Sequence, residues 1–92
     1  MGCFKDNATA PAMKLMEDSE PRLEGNHKTR EDAIQMCLEA VAEIPGMVVF
    51  ALQDGGKCYS GSGKGFRQYG KSEDCKNDGK GGRLANAVYS LQ

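Results

Sequence analysis

The spacing of apolar residues predicts one amphipathic helix in the first half of the chain. One face of it carries apolar side chains at positions i, i+3, i+4 and i+7, namely Ile34, Cys37, Leu38 and Val41. Thr29 is the candidate N-cap, and Pro45-Gly46 ends the helix. Cys37 and Leu38 are therefore expected in the core.

A hairpin is predicted directly after the helix. Six uncharged, β-prone residues at 47–52 have the pattern of a central strand. Asp54-Gly55-Gly56 has the chemistry of a tight turn, and Lys57–Ser60 is the expected return strand. The hairpin therefore forms the predicted centre of a sheet.

The length of the turn decides which strand residues meet the helix. If all three turn residues form the loop, Leu52 lies opposite Cys58 and Phe50 opposite Ser60. Phe50, Leu52 and Cys58 then share one face of the hairpin. Because that face should pack on the helix, we expect Phe50 in the core and Cys58 next to Cys37.

Shorter strands are predicted nearer the ends of the chain, at Gly2–Lys5, Ala12–Met16 and Asn86–Leu91. The terminal strands carry few charges and are expected to pair with each other. The segment from Gly61 to Leu84 is too rich in glycine and charge for much regular structure. The predicted fold is a single α+β domain spanning residues 1–92, with one main helix on a twisted antiparallel sheet.

Four widely spaced cysteines in only 92 residues indicate disulfides, because none of them forms a C-x-x-C metal or redox motif. Among three possible pairings we predict Cys37–Cys58, joining helix to hairpin, and Cys3–Cys75, tying the first strand to the long loop. Disulfides imply a secreted or cell-surface protein whose signal peptide has been removed. A cytosolic domain with four reduced cysteines is the alternative.

Charge and hydropathy exclude several classes of function. A net charge of −1 argues against a nucleic-acid-binding protein, and no apolar run approaches the length of a membrane span. Residues 65–72 match the phosphate-binding motif G-x-x-x-x-G-K-[ST], but neither a strand precedes them nor a helix follows. We therefore expect no nucleotide, no cofactor, no metal and no membrane insertion. The chain also lacks an activated nucleophile or acid–base pair, so we expect no enzyme.

The order of these motifs resembles the WSC domains. The opening Gly2-Cys3-Phe4-Lys5-Asp6, the segments 49–53 and 56–61, and the closing Val88-Tyr89 all fit that family's pattern. The chain departs from it in having four cysteines rather than the usual eight. The resemblance implies an extracellular module, related in shape to PAN/apple domains, that binds carbohydrate.

The long loop carries the candidate binding residues. Residues 54–83 hold seven basic side chains and nine of the twelve glycines, with aromatic residues among them. Aromatic rings stack on sugars, while basic and amide groups bind hydroxyl, sulfate or carboxylate groups. The predicted ligand-binding residues are Tyr59, Phe66, Arg67, Tyr69, Asn77 and Asp78. The alternative is that the three aromatic residues pack the loop onto the sheet.

Four smaller features of the sequence also have an interpretation. Asn77-Asp78-Gly79 could contribute Ca²⁺ ligands, although a turn is the simpler interpretation. His27, the only histidine, is expected to be a solvated loop residue, and the adjacent pair Glu17-Asp18 to be solvated surface. Asn7-Ala8-Thr9 is a glycosylation sequon.

Two functions therefore follow from the sequence. The first is an extracellular polysaccharide-binding module that uses the surface of residues 54–83. The second is a protein–protein adhesion or matrix-assembly module without sugar binding, in which an acidic helix face meets a basic loop of a partner. The predicted partner is thus a glycan or an extracellular matrix protein.

Overall fold

The structure is a computed structural model that describes residues 2–17, 20–23 and 25–91. Its centre is one antiparallel sheet in the order β1-β5-β3-β4-β2. The strands are β1 Gly2–Lys5, β2 Lys14–Leu15, β3 Val49–Gln53, β4 Lys57–Gly61 and β5 Ala85–Ser90. Helix α1, Ala33–Ala42, packs on β3 and β4. The predicted α+β fold, the central position of the strand that follows the helix and the pairing of the terminal strands are confirmed, although the central strand begins at Val49 rather than Met47.

Thr29 does not cap helix α1, so that prediction is wrong. Thr29 ends a short 3₁₀ helix, His27–Thr29, which Asn26 caps by accepting a hydrogen bond from the Lys28 amide at 2.9 Å. Arg30 then adopts an extended conformation, and α1 begins only after Asp32. The local bonds of Asn26 therefore compete with the extension of the helix toward its N-terminus.

Helix α1 presents smaller residues to the sheet than the apolar stripe predicts. Its buried residues are Ala33, Cys37, Ala40 and Val41. Leu38, expected in the core, is only half-buried at the edge of the cluster. The disulfide from Cys37 to Cys58 holds the two Cα atoms 5.4 Å apart, so alanine rather than leucine fits beneath the helix.

The hairpin has the predicted register. Leu52 lies opposite Cys58 and Phe50 opposite Ser60. Phe50, Leu52 and Cys58 join Cys37 in one core between helix and sheet, and the Phe50 ring stacks on Tyr89 with centroids 5.1 Å apart. We call this side the helix-covered face.

The opposite side of the sheet has a second core, covered by irregular segments. Its buried members are Phe4, Met13, Val49, Ala51, Tyr59, Phe66 and Val88. Met13 and Phe66 come from the loops that lie over this side, which we call the loop-covered face. Because both faces are closed, every residue of β3 is buried.

Both predicted disulfides are present, Cys3–Cys75 and Cys37–Cys58. The segment 61–84 is largely irregular as predicted, with one 3₁₀ turn, Gly65–Arg67, and isolated bridges at Lys71 and Gly82. None of the helices that the structure describes is long and apolar enough to cross a membrane.

Glu17 is not solvated surface, so that expectation is wrong. Its Oε1 atom lies 2.7 Å from Nη1 of the buried Arg30 and also accepts the Cys58 amide at 3.2 Å. The Arg30 guanidinium donates further to the carbonyl oxygens of Leu23 and Gly56. This pair joins the segment before α1 to the hairpin. The neighbouring Asp18 lies outside the described residues.

Candidate functional site

The six predicted ligand-binding residues do not form one surface. Phe66 and Arg67 lie beside Val48 and Val49, at the start of β3. Asp78 lies beside Asp54, just past the other end of the same strand. The loop therefore spreads these residues along the length of the sheet.

The aromatic residues of the set serve mainly in packing. Phe66 is 2% exposed and meets the edge of the Phe4 ring, with centroids 5.0 Å apart. Arg67 lies over the outer side of the Phe66 ring at 5.3 Å, and the Tyr69 hydroxyl donates to the Ala10 carbonyl. Tyr59 is 4% exposed within the second core. For Phe66 and Tyr59 the structure matches the packing alternative.

Asn77 and Asp78 are exposed and belong to a turn. Asp78 Oδ1 accepts the Lys80 amide at 2.9 Å, and the Gly79 carbonyl accepts the Tyr89 hydroxyl at 2.6 Å. This is the turn geometry expected of Asn-Asp-Gly. No group of three His, Cys, Asp or Glu side chains suited to a metal ion occurs within the described part of the chain.

The loop-covered face changes from apolar to polar at one end. Gln53 of β3 lies between Asn86 of β5 and Lys57 of β4 in the sheet register. Strand alternation places these three side chains on the same face as Val49, Ala51 and Tyr59. No motif in the sequence marks this row, and its one visible signal is the glutamine that ends an apolar strand.

Asp6 is the centre of a fixed polar network above this row. Its Oδ2 atom accepts Gln53 Nε2 at 2.7 Å, and the same nitrogen donates to Asn86 Oδ1 at 2.9 Å. Its Oδ1 atom accepts the amides of Asn7 and Ala12 at 2.8 and 2.9 Å. A carboxylate can only accept hydrogen bonds, so the group that faces Asp6 must be the Gln53 Nε2 donor, and this fixes the orientation of the Gln53 amide. Oε1 of Gln53 accepts no hydrogen bond from the described residues.

These residues border an open cleft of about 370 Å³, which we call the Asp6 cleft. Three separate segments of the chain, within residues 6–15, 53–59 and 83–84, meet there. The lining residues are Asp6, Asn7, Ala8, Pro11, Leu15, Gln53, Asp54, Lys57, Tyr59, Arg83 and Leu84. A hollow of about 440 Å³ lies elsewhere, around Met13, Met47 and Gly61, but Lys14 is its only charged lining residue. The Asp6 cleft is therefore the better candidate site.

The Tyr59 hydroxyl remains a proton donor in this cleft. Burial, and then the charges of Asp6, Glu17 and Asp54, raise the pKa of Tyr59 to about 12. The hydroxyl has no hydrogen-bond partner in residues 2–17, 20–23 and 25–91. It is thus available to a ligand. Tyr59 is the one member of the predicted set that lines the cleft.

Two cations of the cleft are likewise unpaired. The side chains of Lys57 and Arg83 have no hydrogen-bond or ion-pair partner among the residues described. With the carboxylate of Asp6 and the amide of Gln53 they surround the opening with both donors and acceptors. Such a mixture suits a ligand with many hydroxyl groups.

Two residues on the rim hold unusual backbone conformations. Asp54 and Leu84 have φ angles of 52° and 50°, the left-handed region that favours glycine. Asp54 also meets His27, whose Nε2 lies 3.2 Å from its Oδ2. His27 is therefore a partly buried partner of Asp54 rather than a solvated loop residue. Strain of this kind in non-glycine residues is common at binding sites.

Comparison of the chain with protein-family models, with curated proteins and with solved structures gives no match.

Proposed function

We propose that the protein is an extracellular carbohydrate-binding module, similar to WSC domains, and that the Asp6 cleft binds the sugar. The observation that carries this proposal is the network of Asp6, Gln53 and Asn86, which fixes the polar atoms of the cleft before any ligand arrives. Preformed polar groups lower the entropic cost of binding a flexible polyhydroxylated ligand.

The chemistry of the cleft suits sugar hydroxyls in both of their roles. Asp6 and Oε1 of Gln53 accept hydrogen bonds, while Tyr59, Lys57 and Arg83 donate them. Pro11 and Leu15 supply apolar surface for the C–H side of a ring. Two disulfides in so small a fold are consistent with an extracellular location.

Affinity for one copy should be weak, because a shallow cleft buries only part of a sugar. Repeated copies, or a polymeric ligand, would gain by avidity without any new contact. Glu39 on α1, with Glu31 and Asp32 just before it, forms an exposed acidic surface, and this surface favours adhesion through a protein partner as the second candidate function.

NMR titration with a panel of oligosaccharides tests the proposal. A ligand should shift the resonances of Asp6, the Gln53 side-chain amide and Arg83. Tyr59→Phe removes one hydroxyl and should weaken binding by about two- to tenfold, the value of one hydrogen bond. Tyr89→Phe, the same change on the helix-covered face, and Arg67→Ala should leave affinity unchanged.

Two other results of the same titration would contradict the proposal. If no sugar shifts any cleft resonance while an extracellular protein shifts those of the α1 surface, the protein is an adhesion module. If a sugar instead shifts Arg67 and Tyr69, the binding site is the loop that the sequence predicts and not the cleft.

A further inference from the structure

A second hollow adjoins the Asp6 cleft. It has a volume of about 320 Å³, and its polar side chains are Lys28, Asp54, Lys76, Asp78 and Arg83. We call it the Lys76 hollow. Asp54 and Arg83 line both the hollow and the cleft, so the two spaces lie side by side. We call the cleft and the hollow together the groove at the end of the hairpin.

The Lys76 hollow has an excess of unpaired positive charge. It contains three basic and two acidic side chains. Asp54 is already in contact with His27, and Asp78 accepts a backbone amide. By contrast, Lys76 and Arg83 have no side-chain partner in the described chain. Lys28 has only a 3.8 Å contact with Asp54, at a site where its side chain is 62% exposed.

Backbone without side chains forms much of the hollow. Gly55, Gly81 and Gly82 line it, and a Cβ atom on Gly81 or Gly82 would clash with the backbone of the sheet or of Asp74, so these two glycines let the loop pack closely there. The Asp54 amide donates to the Gly82 carbonyl at 3.0 Å, and the Gly55 amide donates to the Lys80 carbonyl at 3.1 Å. Lys76 follows Cys75, which the disulfide to Cys3 anchors. The cations therefore project from a braced framework.

We propose that this groove selects acidic polysaccharides, with sugar hydroxyls in the Asp6 cleft and a sulfate or uronate group in the Lys76 hollow. The inference rests on the proposed sugar site and adds the class of sugar. A polymer with a repeated anion could occupy both spaces at once, because the polar cleft and the cationic hollow share Asp54 and Arg83 and lie side by side. An acidic peptide without sugars would pair with the cations of the hollow. It would leave the fixed acceptors Asp6 and Gln53 without hydroxyl partners.

The test compares three oligosaccharides of equal length by NMR titration: a neutral one, its sulfated form and one containing uronate. Both acidic forms should bind more tightly than the neutral form, and each should shift Lys76 and Arg83 in addition to the cleft. Raising the ionic strength from about 0.01 M to about 0.15 M should weaken only the acidic ligands, because the screening length falls from about 30 Å to about 8 Å.

A matched pair of double variants isolates the hollow. Lys28→Ala/Lys76→Ala should weaken acidic ligands by about four- to twenty-fivefold, from two- to fivefold for each exposed charge. Lys64→Ala/Lys71→Ala removes the same charge from exposed positions outside the groove and should have a much smaller effect. Neither variant should change binding of the neutral sugar.

The outcomes separate this inference from the proposed function. If neutral and acidic sugars bind equally and still shift the cleft, the selection for acidic polysaccharides is wrong and the sugar site stands. If no sugar shifts the cleft, the proposed function fails and this inference fails with it. If an acidic peptide alone binds, with the same dependence on Lys28 and Lys76, the groove is a protein-binding site.

Discussion

The two faces of the sheet are closed by different kinds of structure. Helix α1 covers one face with small side chains and a disulfide whose two cysteines are fully buried. Loops cover the other face, and they leave the Asp6 cleft at the end where Gln53, Asn86 and Lys57 replace apolar residues. A regular helix packs a sheet without gaps, whereas loops on a rigid sheet can leave room for a ligand.

Removal of the disulfides should have the largest effect on stability. Cys37→Ala/Cys58→Ala should cost about 4 to 5 kcal/mol, since loop closure gives about 3 kcal/mol and the lost packing of two buried sulfurs adds to it. Cys3→Ala/Cys75→Ala should cost about 4 kcal/mol, which its longer loop alone explains. Urea unfolding of both variants measures the difference.

The order of reduction provides an independent check on the same disulfides. Cys3 and Cys75 are half-buried, so limited reductant should open their bond first, as alkylation of the freed thiols would reveal. Prior reduction of Cys37–Cys58 would mean that the helix-covered face opens more readily than its packing suggests.

Truncation of a phenylalanine should cost more stability in the core beneath the helix than in the core beneath the loops. Phe50→Ala, beneath the helix, should cost about 4 kcal/mol, because the helix and sheet cannot close on the cavity. Phe66→Ala should cost about 2 kcal/mol, although Phe66 is equally buried, because the loop that carries it can relax into the space. Equal losses in chemical denaturation would show that the loop is as rigid as the helix.

Leu84→Gly should stabilise the protein slightly. Leu84 is 40% exposed and has a positive φ, so glycine relieves strain at little cost in packing. We expect a gain of about 0.5 kcal/mol in thermal or urea unfolding. Leu84→Ala keeps the strained conformation and serves as the control. A loss of stability in the glycine variant would mean that Leu84 packs more than its exposure implies.

The ionisation of the tyrosines should have the smallest effect on stability at neutral pH, because it changes stability only at high pH. The pKa of Tyr59 is raised to about 12, mainly by burial, and that of Tyr89 is raised for the same reason. Between pH 10 and 12 the unfolded chain loses the Tyr59 proton while the folded protein retains it, so stability falls as pH rises through this window. Ultraviolet titration of Tyr59→Phe should lack the phenolate step near pH 12. A Tyr59 that titrates near 10 would mean that the cleft is open to water.

The spacing of apolar residues and the alternation of side chains along a strand account for much of the fold that could be predicted. The apolar run at 47–52, with its Asp-Gly-Gly turn, determines which side chains share a face, because strand residues alternate. That alternation brings Leu52 and Cys58 to the helix and leads to the correct disulfides. Thr29 failed as a cap because Asn26 binds the same region locally, a competition that spacing does not reveal.

Few of the ligand-binding residues predicted from the sequence lie at the cleft that we propose as the site. Of the six ligand-binding residues inferred from the glycine-rich loop, only Tyr59 lines the Asp6 cleft, and Asp78 lines the adjoining hollow. Asp6, Gln53 and Asn86 lie far apart along the chain and have no shared motif. Their hydrogen bonds exist only after β1, β3 and β5 have paired.

By itself the sequence determined the helix and the hairpin register, because these depend on short-range spacing and on residue chemistry. The register brings Cys37 to Cys58, and the second disulfide joins the two cysteines that remain. Only the tertiary structure decided that loops would cover the second face, that Glu17 would pair with Arg30, and that Asp54 and Arg83 would line two neighbouring hollows. Those contacts depend on the path of irregular segments, which no periodic pattern specifies.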